Sequence, residues 1–159
     1  MSRFDRILVA VDRDDRAEAP LRLGLELAIK TGAELIVFHS ISEDEQKDRE
    51  TLPPPSNFVD VMVEETTRDL SALAETVADG TQSPPFRVVA RWGDPAEEIL
   101  NLAAAEDCDL IVIGLRRRSK VGKFLLGSKL QEVLMTTDRP VITVPIPPQT
   151  SSEWSPPHE

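Results

Sequence analysis

A loop with a glycine at each end carries the residues that could bind an anion. The loop begins at Gly114, directly after the apolar run Leu110–Ile113, and ends at Gly127 and Ser128, where a helical pattern begins. Glycine lets a backbone approach a ligand closely, and the free N–H groups at a helix N-terminus attract negative charge. Five basic residues and no acidic residue lie between the two glycines: Arg116, Arg117, Arg118, Lys120 and Lys123. We therefore predict that a phosphate group binds between the two ends of this loop.

The charge of this loop is opposite to that of the whole chain. The 159 residues include 18 Lys and Arg against 28 Asp and Glu, a formal net charge of −10. Such a charge disfavours non-specific attraction to nucleic acid or to a membrane surface, and we expect neither as a partner. Local positive potential is what a polyphosphate needs, although a short run of charge can equally form a solvated loop.

The composition predicts a cytoplasmic protein without a metal site. The single cysteine, Cys108, cannot form an internal disulfide, which fits a reducing compartment. The start of the chain lacks the pattern of a signal peptide, and no apolar run approaches the roughly 20 residues that cross a bilayer. The chain has two histidines, and His39 is expected to be a packed strand-end residue and not a metal ligand.

Apolar runs that alternate with amphipathic stretches predict an α/β domain. The predicted strands are Ile7–Val11, Leu35–Phe38, Phe86–Ala90, Leu110–Ile113 and Val141–Val144. Runs that are apolar at every position are typical of parallel strands covered on both sides, so we expect an open parallel five-stranded sheet with helices on both faces. Residues 1–147 would form this domain, residues 148–159 a flexible C-terminal tail, and Ile41–Asn57 a long surface loop.

Glycine, proline and aspartate predict where the helices begin and end. Pro20 would open the first helix and Gly32 would cap its end, while Gly80 would stop the second helix. Asp94 would be the N-cap of the third helix, whose first residue is Pro95. The second and fourth helices are predicted over Val59–Val77 and Gly127–Thr136.

The chain order of these elements predicts where a ligand binds. In an open parallel sheet, ligands bind beyond the carboxyl ends of the strands, where the strand order reverses. Asp12 follows the first predicted strand and Ser40 follows the second. Asp12 could hydrogen-bond a ligand there, or it could only satisfy the end of its strand.

Several stretches of the chain resemble the universal stress protein family. The most specific are Asp-Leu-Ile-Val-Ile-Gly before the basic loop and Leu-Leu-Gly-Ser after it. Three more are similar to the family: Ile-Leu-Val-Ala-Val-Asp, Gly-Asp-Pro-Ala-Glu-Glu-Ile and Arg-Pro-Val-Ile-Thr-Val. The resemblance extends over about residues 4–145 and implies the α/β fold of this family, which is similar to that of the adenine nucleotide alpha hydrolases.

The resemblance also implies an ATP site. Members that bind ATP show a glycine, two residues, a second glycine, nine residues, and a glycine followed by serine or threonine. Gly114 fits the first glycine, Gly127 the third and Ser128 the hydroxyl residue, so these three would meet the phosphates. Asp12 and the backbone of Ser40 would meet the nucleoside.

Two features of the chain depart from the pattern of the ATP-binding members. Arg117 replaces the second glycine, and its guanidinium could either grip the phosphates or obstruct them. Arg13, Asp14 and Asp15 follow Asp12 where the family commonly has glycine and serines. The added carboxylates would repel a triphosphate unless a divalent cation such as Mg²⁺ lay between them.

Three functions are therefore compared. The first is a stress-related regulatory module that binds ATP, as a homodimer joined through the edge strand Val141–Val144. The second is a dimeric adaptor of the same fold that no longer binds ATP. The third is an enzyme, which we do not expect, because the chain has neither a dinucleotide fingerprint nor a Walker loop and no candidate general base.

Overall fold

The computed structural model describes residues 4–12, 15–42, 57–78, 84–116 and 127–146 of the chain. Within these ranges five strands form one sheet: β1 Arg6–Ala10, β2 Glu34–Ile41, β3 Phe86–Trp92, β4 Leu110–Arg116 and β5 Val141–Ile146. The strand order is β3-β2-β1-β4-β5, and all neighbours are parallel. This confirms the predicted open parallel sheet. β1 ends one residue earlier than predicted, and each other strand extends further toward its carboxyl end.

Four α-helices cover the sheet: α1 Glu18–Thr31, α2 Phe58–Val77, α3 Pro95–Ala105 and α4 Ser128–Thr136. A short 3₁₀ helix, Asp15–Ala17, precedes α1. α1 and α2 pack on the face that includes Ile7 and Val9 of β1, whereas α3 and α4 pack on the face that includes Leu8. Side chains alternate between the faces of a strand, so β1 is buried on both sides.

The predicted helix ends are partly confirmed. Gly32 caps α1 with φ 77° and donates its N–H to the carbonyl of Ala28. Asp94 caps α3, where its Oδ2 accepts the N–H of Glu97. The prediction that Pro20 opens α1 was wrong, because the helix begins at Glu18. Proline is tolerated anywhere in the first turn, where its missing N–H has no partner within the helix.

The loop predicted over Ile41–Asn57 begins later than predicted. Ile41, predicted as the first residue of a loop, is the last residue of β2 and is fully buried against Met62 and Ala90. Its carbonyl accepts the N–H of Gly93, which extends the pairing of β2 with β3. The remaining loop residues 43–56, the predicted stop at Gly80 and the predicted tail 148–159 lie outside the described residues.

The amino ends of the strands are joined by polar side chains. The Asp109 carboxylate accepts the backbone N–H groups of Asp5 and Arg6 at 2.6 and 2.9 Å. Arg87 of β3 forms ion pairs with Glu34 and Glu106, which raise its pKa. This edge of the sheet is therefore occupied by contacts within the protein.

Gly114 lies inside β4 and not at its end. A Cβ built at Gly114 would overlap Cδ1 of Ile146 and would lie 3.2 Å from Cγ of Pro20. The absence of a side chain thus lets the last residue of β5 and the first turn of α1 pack over β4.

We expect Gly114→Ala to destabilise the protein by about 1 kcal/mol, because the added methyl group overpacks this contact. Ile146→Val removes the overlapping Cδ1 and should make the alanine less costly. Urea denaturation of the parent, both single variants and the double variant gives the coupling between the two sites. An equal cost of Gly114→Ala with either residue at position 146 would contradict this account.

Candidate functional site

The chain leaves the two central strands in opposite directions. After β1 it continues to β2 on one side, and after β4 it continues to β5 on the other. This reversal opens a crevice beyond the carboxyl ends of β1 and β4, which is where ligands bind in such sheets. Asp12 follows β1, and Gly127 and Ser128 begin the segment after the basic loop. Arg117 and the rest of residues 117–126 lie outside the described residues.

Hydrogen bonds from β2 hold Val11, the residue between β1 and Asp12. The N–H of Val11 donates to the carbonyl of Phe38 at 2.9 Å. The carbonyl of Val11 lies 2.6 Å from Nδ1 of His39, which is buried as the sequence predicted. Asp12 is partly buried directly beyond this contact.

Ser40 presents its backbone to the crevice. Its side chain is engaged, since Oγ donates to the carbonyl of Gly93 at 2.8 Å. Its own carbonyl points to the same side as that of Phe38, two residues earlier in β2, and thus toward β1. Ala10↔Phe38 is the last pair between the two strands, so Ser40 lies beyond the paired part of β1. The contact between the Ser40 backbone and a nucleoside, which the family resemblance implied, stays a prediction.

The N-terminus of α4 differs from the other helix N-termini that the structure describes. α1, α2 and α3 carry acidic residues in their first turns, namely Glu18, Asp60, Glu97 and Glu98. The first turn of α4 has none, and its N-cap residue, Gly127, provides no side-chain hydrogen bond. The first N–H groups of a helix need an acceptor from outside the helix. Among the described helices, α4 alone therefore lacks an acidic residue in its first turn.

Neither the backbone conformation nor the described surroundings of Gly127 require a glycine at this position. Its φ of −57° and ψ of 145° suit any residue, so a side chain would not strain the backbone. Among the described residues, nothing lies within 4 Å of a Cβ built there. Ser128, the first residue of α4, is exposed beside it.

Comparison with known proteins decides the family. The model of the universal stress protein family matches residues 3–145. The chain belongs to this family. A universal stress protein of Thermus aquaticus is 31% identical over 145 residues, which cover 89% of this chain and 98% of the relative.

Solved structures agree with this assignment. A universal stress protein from Archaeoglobus fulgidus is 30% identical with a TM-score of 0.61, covering 87% of this chain and 97% of that one. A second structure from that organism, in complex with dAMP, is 25% identical with a TM-score of 0.57 and covers 89% and 98%. These similarities confirm the α/β fold of the family.

An ion pair in this universal stress protein was not found from the sequence. Lys129, in the first turn of α4, pairs with Asp94, the N-cap of α3. Lys129, and after it the N–H of Glu97, lower the pKa of Asp94, and Asp94 in turn raises the pKa of Lys129. A lysine at a helix N-terminus is unfavourable for the helix dipole, and this was the available signal that a negative group lies nearby.

The predicted site residues thus have different positions. Asp12 follows β1, and Ser40 lies near the carboxyl end of β2. Gly127 and Ser128 lie at the N-terminus of α4, whereas Gly114 is packed within β4. Within the described residues, no group of three or more His, Cys, Asp or Glu could hold a metal ion. None of the helices described is long and apolar enough to span a membrane.

We expect Lys129→Gln to raise the pKa of Asp94 toward its ordinary value, though not fully, because the Glu97 N–H still donates to it. The side chains of Lys129 and Asp94 are 53% and 33% exposed, so the loss of stability at neutral pH should be at most about 1 kcal/mol.

The pH dependence of this difference follows from the direction of the Asp94 pKa shift. The pKa is lower in the folded state, so the stabilisation is present above the unfolded value and is lost as pH falls through the folded value. NMR titration of the carboxyl signals and urea denaturation measure both effects. Arg22→Gln, which breaks the pair with Glu18, is the control and should leave the pKa of Asp94 unchanged. An unchanged Asp94 pKa in Lys129→Gln would show that the pair does not form.

Proposed function

We propose that this protein is a stress-related regulatory module that binds an adenine nucleotide, ATP in particular, and is not itself an enzyme. The observation that carries the proposal is the N-terminus of α4. This helix follows β4, beside the reversal of strand order, and it has neither a side-chain cap nor an acidic first turn. Among the described residues, none lies within 4 Å of a Cβ built at its N-cap, Gly127. The Archaeoglobus relative solved with dAMP supports an adenine nucleotide as the ligand.

The residues present fit the two halves of such a ligand. Asp12 and the carbonyl of Ser40, at neighbouring strand ends, would bind the ribose and adenine. Backbone N–H groups of Gly127 and Ser128 would bind phosphate oxygens, as helix N-termini do. Mg²⁺ bound to the phosphates would reduce their repulsion by a chain of net charge −10. Contact between Gly114 and a phosphate remains part of the proposal, beside the packing role of this glycine.

The alternative is an adaptor that no longer binds ATP. The observation that favours it is Arg117 in place of the second motif glycine. Calorimetric titration of ATP with Mg²⁺ into the parent protein distinguishes the two proposals. Binding supports the nucleotide module, and the absence of binding supports the adaptor.

We expect Gly127→Asp to stabilise the protein and to weaken ATP binding. An N-cap carboxylate accepts an N–H of the first turn, which adds roughly a few tenths of a kcal/mol over glycine, and its charge adds about 0.3–1 kcal/mol through the helix dipole. The same charge would repel a phosphate, so ATP affinity should fall by roughly 10-fold or more.

Gly127→Asn is the matched control, because it caps the helix without a charge. Stability should increase from the parent to Asn and then to Asp, while ATP affinity should decrease in the same order. Thermal denaturation and calorimetry measure the two series. Undiminished ATP binding by Gly127→Asp would exclude the α4 N-terminus as the phosphate site.

We further propose that the protein is a homodimer joined through β5. This strand is at the edge of the sheet, and Val141–Val144 are partly exposed. The N–H of Ile111 donates to the carbonyl of Pro140, so the backbone groups of alternate residues face β4 and those of Val141 and Thr143 face outward. An exposed edge of this kind can pair with a second copy.

We expect Thr143→Pro to prevent dimerisation, because it removes an N–H that faces outward while the bonds between β4 and β5 remain. Thr143→Val, which keeps the N–H and the shape, should leave the dimer intact. Light scattering of both variants at high micromolar concentration, with circular dichroism to verify the fold, measures the outcome. A dimeric Thr143→Pro variant would place the interface elsewhere.

A further inference from the structure

His39 is a polar residue in a buried apolar row. It lies in β2 between Val37 and Ile41 on the same side of the strand, and both neighbours are fully buried. The His39 side chain is itself only 5% exposed. A buried polar group costs free energy unless it forms hydrogen bonds, so an aliphatic residue would serve packing better at this position.

The hydrogen bond of His39 identifies what the residue does. Nδ1 lies 2.6 Å from the carbonyl oxygen of Val11. A carbonyl only accepts hydrogen bonds, so Nδ1 must carry a hydrogen and donate it. The N–H of Val11 already donates to Phe38, and β2 therefore holds both backbone groups of Val11.

This contact lies beyond the regular pairing of the two strands. The last pair of β1 with β2 is Ala10↔Phe38, and Val11 follows it. Val11 is only 7% exposed, so its carbonyl would have little access to water if the imidazole were removed. The end of β1 would then have to shift to satisfy that carbonyl, and Asp12 is attached to it directly.

We infer that His39 is a positioning residue for the nucleoside end of the site: it fixes the Val11 carbonyl and thereby the direction in which Asp12 leaves the sheet. The inference rests on the proposed function, since it is the nucleotide that Asp12 would contact. The inference predicts that replacing His39 weakens the binding of the nucleoside half of the ligand. Binding of the phosphate half, which would lie at α4, should not change.

The test compares ATP with inorganic tripolyphosphate, which lacks the nucleoside. In His39→Leu the ATP affinity should fall roughly 3- to 10-fold, whereas tripolyphosphate affinity should stay within about twofold of the parent. His39→Asn should restore ATP binding, because its amide nitrogen occupies nearly the position of Nδ1. His39→Gln places its amide farther from Val11 and should not restore it. If His39→Leu does not fold, the comparison of Asn with Gln decides.

Equal ATP affinity in the parent, Leu and Gln variants would overturn the inference, as would an equal loss for ATP and tripolyphosphate. Failure of the proposed function looks different, since the parent itself would then not bind ATP. In that case NMR of the unliganded protein decides. The parent should show a hydrogen on Nδ1, and the Asp12 amide signal should move in His39→Leu and return in His39→Asn. A signal that stays in place in all variants would refute the positioning role.

Discussion

The rest of the structure depends on β1, which is paired along both edges and buried on both faces. A strand in that position admits only apolar side chains, and Ile7–Val11 supplies them without interruption. β4 lies beside it, and the chain leaves these two parallel strands in opposite directions. In open parallel sheets, ligands bind beyond the carboxyl ends of two strands that the chain leaves in this way. The site thus arises from the packing of the central strands, and the loop residues determine what binds there.

The parallel sheet makes its two edges chemically different. Each helix that follows a strand begins at the carboxyl edge, so the unpaired N–H groups of helix N-termini collect on that side. At the amino edge, the protein uses its own side chains, such as Arg87 with Glu34 and Glu106, to join the strand ends. At the carboxyl edge, Asp94 satisfies α3 and binds Lys129 of α4, while α4 receives no carboxylate of its own. Among the described residues, the first turn of α3 is therefore capped by a carboxylate, and that of α4 is not.

The sequence was sufficient to predict the architecture because the decisive signals are local. Apolar runs mark the strands, and Gly32 and Asp94 mark helix ends through conformations that their own chemistry favours. The contacts that shape the site could not be predicted in this way. His39 forms a hydrogen bond with Val11, and Ile146 packs against Gly114. Lys129 forms an ion pair with Asp94. Each contact exists only because strand register and crossovers bring distant segments together. The carboxyl end of β2 was predicted too early for the same reason, since Ile41 pairs with Trp92 of β3 and accepts the N–H of Gly93.

Packing constrains one of the two glycines at the ends of the basic loop and does not constrain the other. Packing favours glycine at position 114, because a side chain there would contact Ile146 and Pro20 whether or not a ligand is present. Gly127 has an ordinary backbone conformation and open space beside it, so neither strain nor packing in the described fold requires a glycine. Loss of nucleotide binding would leave the constraint on Gly114 intact and would remove the constraint on Gly127. The proposal of an anion site therefore rests more on Gly127, where an aspartate or asparagine would cap α4 better, than on Gly114.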